Sequence, residues 1–275
     1  MKKMAFSMGM MVLCAAALSL VSGCVAAQDL GDGFYFAQDA NWANNQKNQV
    51  VIEVRGSTIY SVNFNIITLQ SGIRDMKSMA QLPDARPQWK AWASQVTEVE
   101  SYIVSNPDFK ASASVPGGPP NTRAILQLAR KATSAQPVTR GTYSRDGWFY
   151  AEDEETDDYH TRNTVLITVV NRKIVDVLWN GILVGMPSSV NPSKMITSRA
   201  NQYPMNDAPP QGVTRLTRDN RWDQQADRAA AELVRVQNPA SIRVRPDGYP
   251  DGITGVSIGI SNFITIAQQA LAQAR

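Results

Sequence analysis

The sequence predicts an α+β protein built as two tandem repeats, each a small antiparallel sheet packed with helices, behind an N-terminal export segment. Three observations predict it. An Asp-Gly-aromatic motif and the strand-like runs after it occur twice in the same order. Each copy then carries apolar stripes at helical spacing, and the first stripe of each runs into Asn-Pro. The first 24 residues differ in character from all that follows. The composition agrees: of 275 residues, 43% are hydrophobic and 19% charged, which excludes wholesale disorder.

The export segment starts with Lys2 and Lys3 and continues as an almost wholly apolar or small stretch over residues 4–21. A basic head, an apolar middle and small residues at the cut are the layout of a secretory signal. The apolar stretch is short for a membrane span, which needs about 20 residues. Its end, Val21-Ser22-Gly23-Cys24, resembles a bacterial lipobox. That resemblance implies a lipoprotein signal peptide over residues 1–23, cleavage before Cys24, acylation of the Cys24 thiol, and a lipidated tether over 24–30. The protein is then anchored in the cell envelope, facing out of the cytoplasm. Val25 rather than Asp after the cysteine favours the outer membrane of a Gram-negative cell. An ordinary signal peptide or a single anchoring helix is the alternative.

The first repeat is placed at residues 31–137 and the second at 138–275. Asp32-Gly33-Phe34-Tyr35 returns as Asp146-Gly147-Trp148-Phe149-Tyr150. Val50-Val51-Ile52-Glu53-Val54 is matched by Val165-Leu166-Ile167-Thr168-Val169. Short turns follow, at Arg55-Gly56-Ser57 and Asn171-Arg172-Lys173, and then β-branched runs over 59–65 and 174–180. Alternating β-branched runs about a turn read as hairpins. Trp89, Trp92, Val96, Val99 and Ile103 form one helical stripe, and Trp222, Ala226, Ala229, Leu233 and Val236 another. Proline disfavours a helical residue before it, so Asn106-Pro107 and Asn238-Pro239 act as stops. A last helix closes each copy, through Ile125, Leu128, Ala129 and Ala132, and through Phe263, Ile266, Ala267, Ala270 and Leu271. The join falls near residues 133–145, rich in Ser, Thr, Gly and Gln.

Several functions are disfavoured at once. Cys14 and Cys24 are the two cysteines, so there is no disulfide framework and no paired-cysteine zinc motif. His160 is the one histidine, which excludes a two-histidine metal site within the chain. The formal charge of +3 falls further once Lys2 and Lys3 leave, so nothing marks a nucleic-acid surface. No phosphate-binding loop motif is present.

The stretch before the last helix carries the chemistry: Asp251-Gly252-Ile253-Thr254-Gly255-Val256-Ser257. With the scaffold order around it, this stretch resembles the FMN-binding domain family, in particular bacterial surface lipoproteins with one or two such domains. The family motif runs Asp-x-x-Ser-Gly-Ala-Thr. Asp251, Thr254, Gly255 and the hydroxyl of Ser257 follow it; Val256 replaces alanine and Ser257 replaces threonine. The resemblance implies FMN as cofactor, joined through its phosphate to Ser257 by a flavin transferase. It further implies a redox carrier that passes electrons to a partner the sequence does not name. Gly255 would let the backbone approach closely, and the N-terminus of the following helix would favour a phosphate. Asp251 would hold the turn and Thr254 would cap it. The same residues also suit ordinary loop chemistry and helix capping. In the first repeat Pro116-Gly117-Gly118-Pro119 falls opposite, and Pro119 has no hydroxyl, so that repeat is a degenerate copy. A flavin-free surface module is the competing reading.

The remaining features read as surface or core. Glu152, Asp153, Glu154, Glu155, Asp157 and Asp158 make an acidic run that suits a solvated loop better than a calcium site. Trp148 and Trp179, at the places of Phe34 and Phe64, read as core. Arg215, Arg218 and Arg221 read as charged surface.

Overall fold

The computed structural model describes residues 30–69, 74–156, 161–183 and 222–275. The signal segment, Cys24, His160, Asp157, Asp158 and the three arginines Arg215, Arg218 and Arg221 lie outside the described residues. Those residues form an α+β structure with two small antiparallel sheets and several helices. The first sheet runs β1 (Gly33–Gln38), β2 (Gln46–Arg55), β3 (Thr58–Thr68) and β4 (Arg74–Asp75). The second runs β5 (Gly147–Glu152), β6 (Thr161–Val170) and β7 (Lys173–Leu183). The helices are α1 (Met76–Ala80), α2 (Pro87–Ser105), α3 (Thr122–Thr133), α4 (Trp222–Val236) and α5 (Ser261–Ala272). No helix among the described residues is long and apolar enough to cross a membrane.

The Asp-Gly-aromatic motif has a local physical purpose. Both hairpin turns place two residues at positive φ: Gly56 (56°) and Ser57 (58°), then Asn171 (49°) and Arg172 (64°). This turn matches the right-handed twist of its strands. It also leaves backbone N–H groups pointing outward, and the motif's aspartate collects them. Asp32 accepts from the Ser57 amide at 3.1 Å. Asp146 accepts from the amides of Asn171 and Arg172, at 2.8 and 2.6 Å. A bulge follows at the same place in both hairpins, at Glu53/Val54 and at Thr168/Val169. It returns Ile59, Val62 and Phe64 in one hairpin, and Ile174, Val177 and Trp179 in the other, to the helix-facing side.

Helices cover one face of each sheet. The first core includes Ile52, Phe64, Val96, Val99, Ile103 and Ile125, from β2, β3, α2 and α3. The second includes Ile167, Trp179, Ala229, Leu233, Phe263 and Ile266, from β6, β7, α4 and α5. Phe64 meets Trp92 with ring centroids 6.4 Å apart, and Trp179 meets Trp222 at 4.9 Å. α2 stops at Ser105, immediately before Asn106-Pro107. α4 stops two residues before Asn238, and Gln237 turns out of the helix at φ 64°.

The other faces of the two sheets meet each other. Ile67 and Leu69 pack on Leu166 and Leu178, with Trp148 and Tyr150 beside them. At the centre Gln49 is fully buried, and its amide is fully used. Its Nε2 donates to Gln38 at 3.1 Å and to Asp176 at 2.8 Å; its Oε1 accepts from Trp148 Nε1 at 2.6 Å and Thr168 Oγ1 at 3.0 Å. Trp148, read from the sequence as core, packs against this inter-sheet cluster. It is half-buried between sheets, where its indole N–H has a partner.

The segment between α3 and β5 is tied to both sheets. Val138 donates to the Phe34 carbonyl of β1 at 2.7 Å, while Gly141 and Tyr143 donate to the carbonyls of Asn171 and Arg172 at 2.9 and 3.0 Å. A Cβ on Gly141 would lie 2.0 Å from the Arg172 carbonyl oxygen, so only glycine fits. β4 and α1 were not anticipated. They are held by Asn65, whose Nδ2 donates to Asp75 at 2.8 Å and whose Oδ1 accepts from the Lys77 amide at 3.2 Å.

Candidate functional site

Residues 251–260 cross the end of the second helical layer before α5. The Val256 amide donates to the Ile253 carbonyl at 3.3 Å, closing a four-residue turn. Gly255 sits inside it at φ 76°, where a side chain is strained. Val256 and Ile258 are half-buried against the second core and pin the loop. Ser257 between them is exposed.

Two side chains of α4 grip this loop. Gln225 is fully buried, and its Oε1 accepts from the Ser257 amide at 2.6 Å and from the Ser257 hydroxyl at 3.1 Å. Arg228, one helical turn further on, donates from Nη1 to the Gly255 carbonyl at 2.7 Å. Residues three apart on a helix share a face, so the amide and the guanidinium are presented side by side. A Cβ on Gly255 would lie 3.0 Å from Arg228 Nη1, so the bare Cα is what lets the guanidinium settle on the turn. Ser257 thus has a fixed backbone and a directed hydroxyl while its surface remains open to solvent.

The first half holds the same turn with different chemistry. Gly118 donates to the Val115 carbonyl at 3.1 Å, and Gly117 has φ 76°. Pro119 then stands where Ser257 stands. α2 buries Val96, Val99 and Ile103 with the spacing by which α4 buries Ala226, Ala229 and Leu233. Glu98 follows Val96 by two residues, as Arg228 follows Ala226. Its Cγ lies 3.5 Å from where a Gly117 Cβ would be. An acid therefore covers the first turn and a base covers the second.

Not every expected role survives. α5 begins at Ser261 with Ile260 as its N-cap, so Ser257 lies four positions before the helix and does not use its N-terminus. The reason is a loop tie: the Ile260 amide donates to the Gly248 carbonyl at 2.9 Å, holding residues 258–260 out of the helix. Asp251 is exposed and contributes its backbone, with its amide 2.9 Å from the Arg243 carbonyl. Thr254 is exposed at the corner of the turn. The structure brings Thr254, Gly255 and Ser257 together on one turn and leaves Asp251 at its approach. Sequence reasoning missed Gln225 and Arg228. The one signal is that Gln225 stands beside Ala226, four residues before Ala229, on the buried stripe of α4; nothing in the sequence marks the exposed Arg228.

The other candidates lie apart from this loop. Trp179 is 2% exposed, stacked on Phe263 with centroids 4.9 Å apart, so it is core. Within the acidic run, Asp153 accepts from the Asn163 amide and side chain at 3.0 and 2.9 Å, as Asp39 does from Asn48. Glu152 accepts from the Tyr150 hydroxyl and pairs with Arg74 at 3.5 Å and Arg162 at 3.8 Å. No group of three or more metal-ligating side chains occurs among the described residues. A cleft of about 500 Å³ lies between the halves, lined by Trp42, Lys47, Asp176, Asp227 and Val234 among others. It opens on another face of α4 and includes none of the loop residues.

No protein-family model matches the chain, and no curated protein does. A solution NMR structure of a protein from Clostridium thermocellum, a structural-genomics target, is similar at 31% identity. That alignment covers 48% of this chain and 92% of that one, with a TM-score of 0.35. At that score the likeness establishes neither fold family nor function.

Proposed function

We propose that the chain is an extracytoplasmic lipoprotein of two tandem FMN-binding-like domains, anchored through Cys24, whose second domain carries FMN on Ser257. One observation carries the reading: Ser257 is an exposed hydroxyl on a fixed loop, directed by buried Gln225 and flanked by the Arg228 guanidinium. Those features fit a phosphoester. The acceptor oxygen needs solvent access, the backbone beside it must be bare, and a cation nearby offsets the anion. Gly255 and Arg228 meet the last two needs. The common bulges, turns and aspartate clasps of the two halves support duplication.

The attachment balances with a flavin adenine dinucleotide donor and the flavin transferase as catalyst. The Ser257 oxygen bonds to the FMN-side phosphorus, the diphosphate P–O bond breaks, AMP leaves with that electron pair, and the hydroxyl proton goes to solvent. Gln225 is a neutral amide, so it orients that hydroxyl and does not remove the proton. Bound FMN supplies redox chemistry, and the chain supplies position and retention. The partners are the membrane through the lipid, the transferase, and a redox protein; the site serves a carrier rather than a conventional enzyme. The envelope location follows from the signal layout ending in Val21–Cys24, and the preference for the outer membrane of a Gram-negative cell from Val25.

Expression with a flavin transferase tests the reading. The intact mature protein gains the mass of FMN less one water, and Ser257→Ala gains nothing. An unmodified wild-type protein contradicts it. Pro119 and the half-buried Val256 favour the alternative, a flavin-free surface module displaying the inter-sheet cleft. That reading requires a colourless, unmodified protein.

A further inference from the structure

We propose that Arg228 is the positioning residue that holds the flavin phosphate at Ser257, and that its charge, rather than the turn alone, separates the competent half from the degenerate one. The inference rests on the reading of Ser257 as the acceptor. Its basis is a comparison within the molecule. Both halves build the same glycine turn, with φ 76° at Gly117 and at Gly255. Both lay a residue from the preceding long helix over that glycine, Glu98 on the first and Arg228 on the second. The half with the hydroxyl has the cation; the half with Pro119 has the carboxylate. A carboxylate beside the turn repels a phosphodiester, and a guanidinium attracts it and donates to its oxygens in a matching planar fork.

The geometry places that fork where it is needed. Arg228 is tied to the Gly255 carbonyl at 2.7 Å, two residues before the acceptor. Its neighbour on the same helix face, Gln225, holds the acceptor itself at 3.1 Å. Arg228 is exposed, so its side chain meets a donor arriving from solvent. The guanidinium first offsets the charge of the incoming diphosphate and afterwards that of the phosphodiester left on Ser257.

The test compares the full mature chain with its Arg228→Lys, Arg228→Gln and Arg228→Glu variants, each expressed with a flavin transferase. Two quantities are read: the rate at which intact mass gains FMN, and the affinity of the Ser257→Ala background for free FMN by fluorescence quenching. Arg228→Lys modifies within a few-fold of wild type, whereas Arg228→Gln and Arg228→Glu slow by roughly tenfold to a hundredfold. The same two substitutions weaken FMN binding in the Ser257→Ala background. A wild-type rate for Arg228→Gln, which removes the charge, overturns the proposal. Wild-type protein gaining no mass defeats the Ser257 reading instead. Circular dichroism and thermal melting identify any variant whose loss is a folding defect, and Arg228→Gln then decides alone.

Discussion

Ser257 donates both its amide and its hydroxyl hydrogen to a single buried oxygen, that of Gln225, at 2.6 and 3.1 Å. Removing that oxygen strips a loop of its anchor and leaves an amide unpaired. Gln225→Ala costs about 1–3 kcal/mol of stability in a denaturant titration and slows flavin attachment without abolishing it. An unchanged midpoint contradicts the role given to Gln225. At this scale the sequence was half legible. Gly255 and Ser257 stand out because an Asp-to-Ser turn before an apolar helix has a chemical pattern of its own. Gln225 and Arg228 lie far upstream, where polar residues on an amphipathic helix read as solvent-facing. Only the loop packing down on α4 buries Gln225.

Hairpins and long helices were legible because their periodicities run over many residues. The turn at Asn171-Arg172 and the stops at Asn106 and Asn238 carry backbone signals that tertiary contacts do not override. β4 and α1 were not, since two strand residues and one helical turn are too short to show a period. The start of α5 was not fixed by the sequence for a related reason. Ser257 is a good capping residue in isolation, but the Ile260 tie to Gly248 sets the boundary. β5 also yields a pH prediction. Burial raises the Tyr150 phenol well above its ordinary value, with the hydrogen bond to Glu152 adding to the shift and Arg74 opposing it. A phenol whose folded pKa is raised favours the folded state up to its unfolded pKa, and loses none of that effect below it. Stability therefore falls as pH rises above about 10. Melting temperatures between pH 8 and 11 check it: Tyr150→Phe falls less steeply than wild type. Tyr143, also raised by burial, retains part of the slope.

The face-to-face packing of the two sheets could not be read from either half alone, because each outer face mixes polar and apolar residues. It is decided by pairings across the halves, with Gln49 serving Gln38, Asp176, Trp148 and Thr168 together. Gln49→Ala takes the acceptor from the Trp148 indole and from the buried Thr168 hydroxyl, at about 1–3 kcal/mol for each one left unsatisfied. It lowers the melting temperature and separates one calorimetric transition into two, as the halves cease to unfold together. A single transition with unchanged midpoint contradicts that coupling. In the same arrangement β1, β2 and β3 supply one wall of the interface on which the second sheet rests.

The central claim concerns one oxygen, and peptide mapping of the mature protein addresses it. Trypsin releases residues 244–275 as one peptide, which contains the hydroxyls of Thr254, Ser257, Ser261 and Thr265. Protein made beside a flavin transferase should yield that peptide yellow, heavier by FMN less water, with fragment ions placing the added mass on Ser257. An unmodified peptide, or fragment ions that place the flavin on any other residue, contradicts the account.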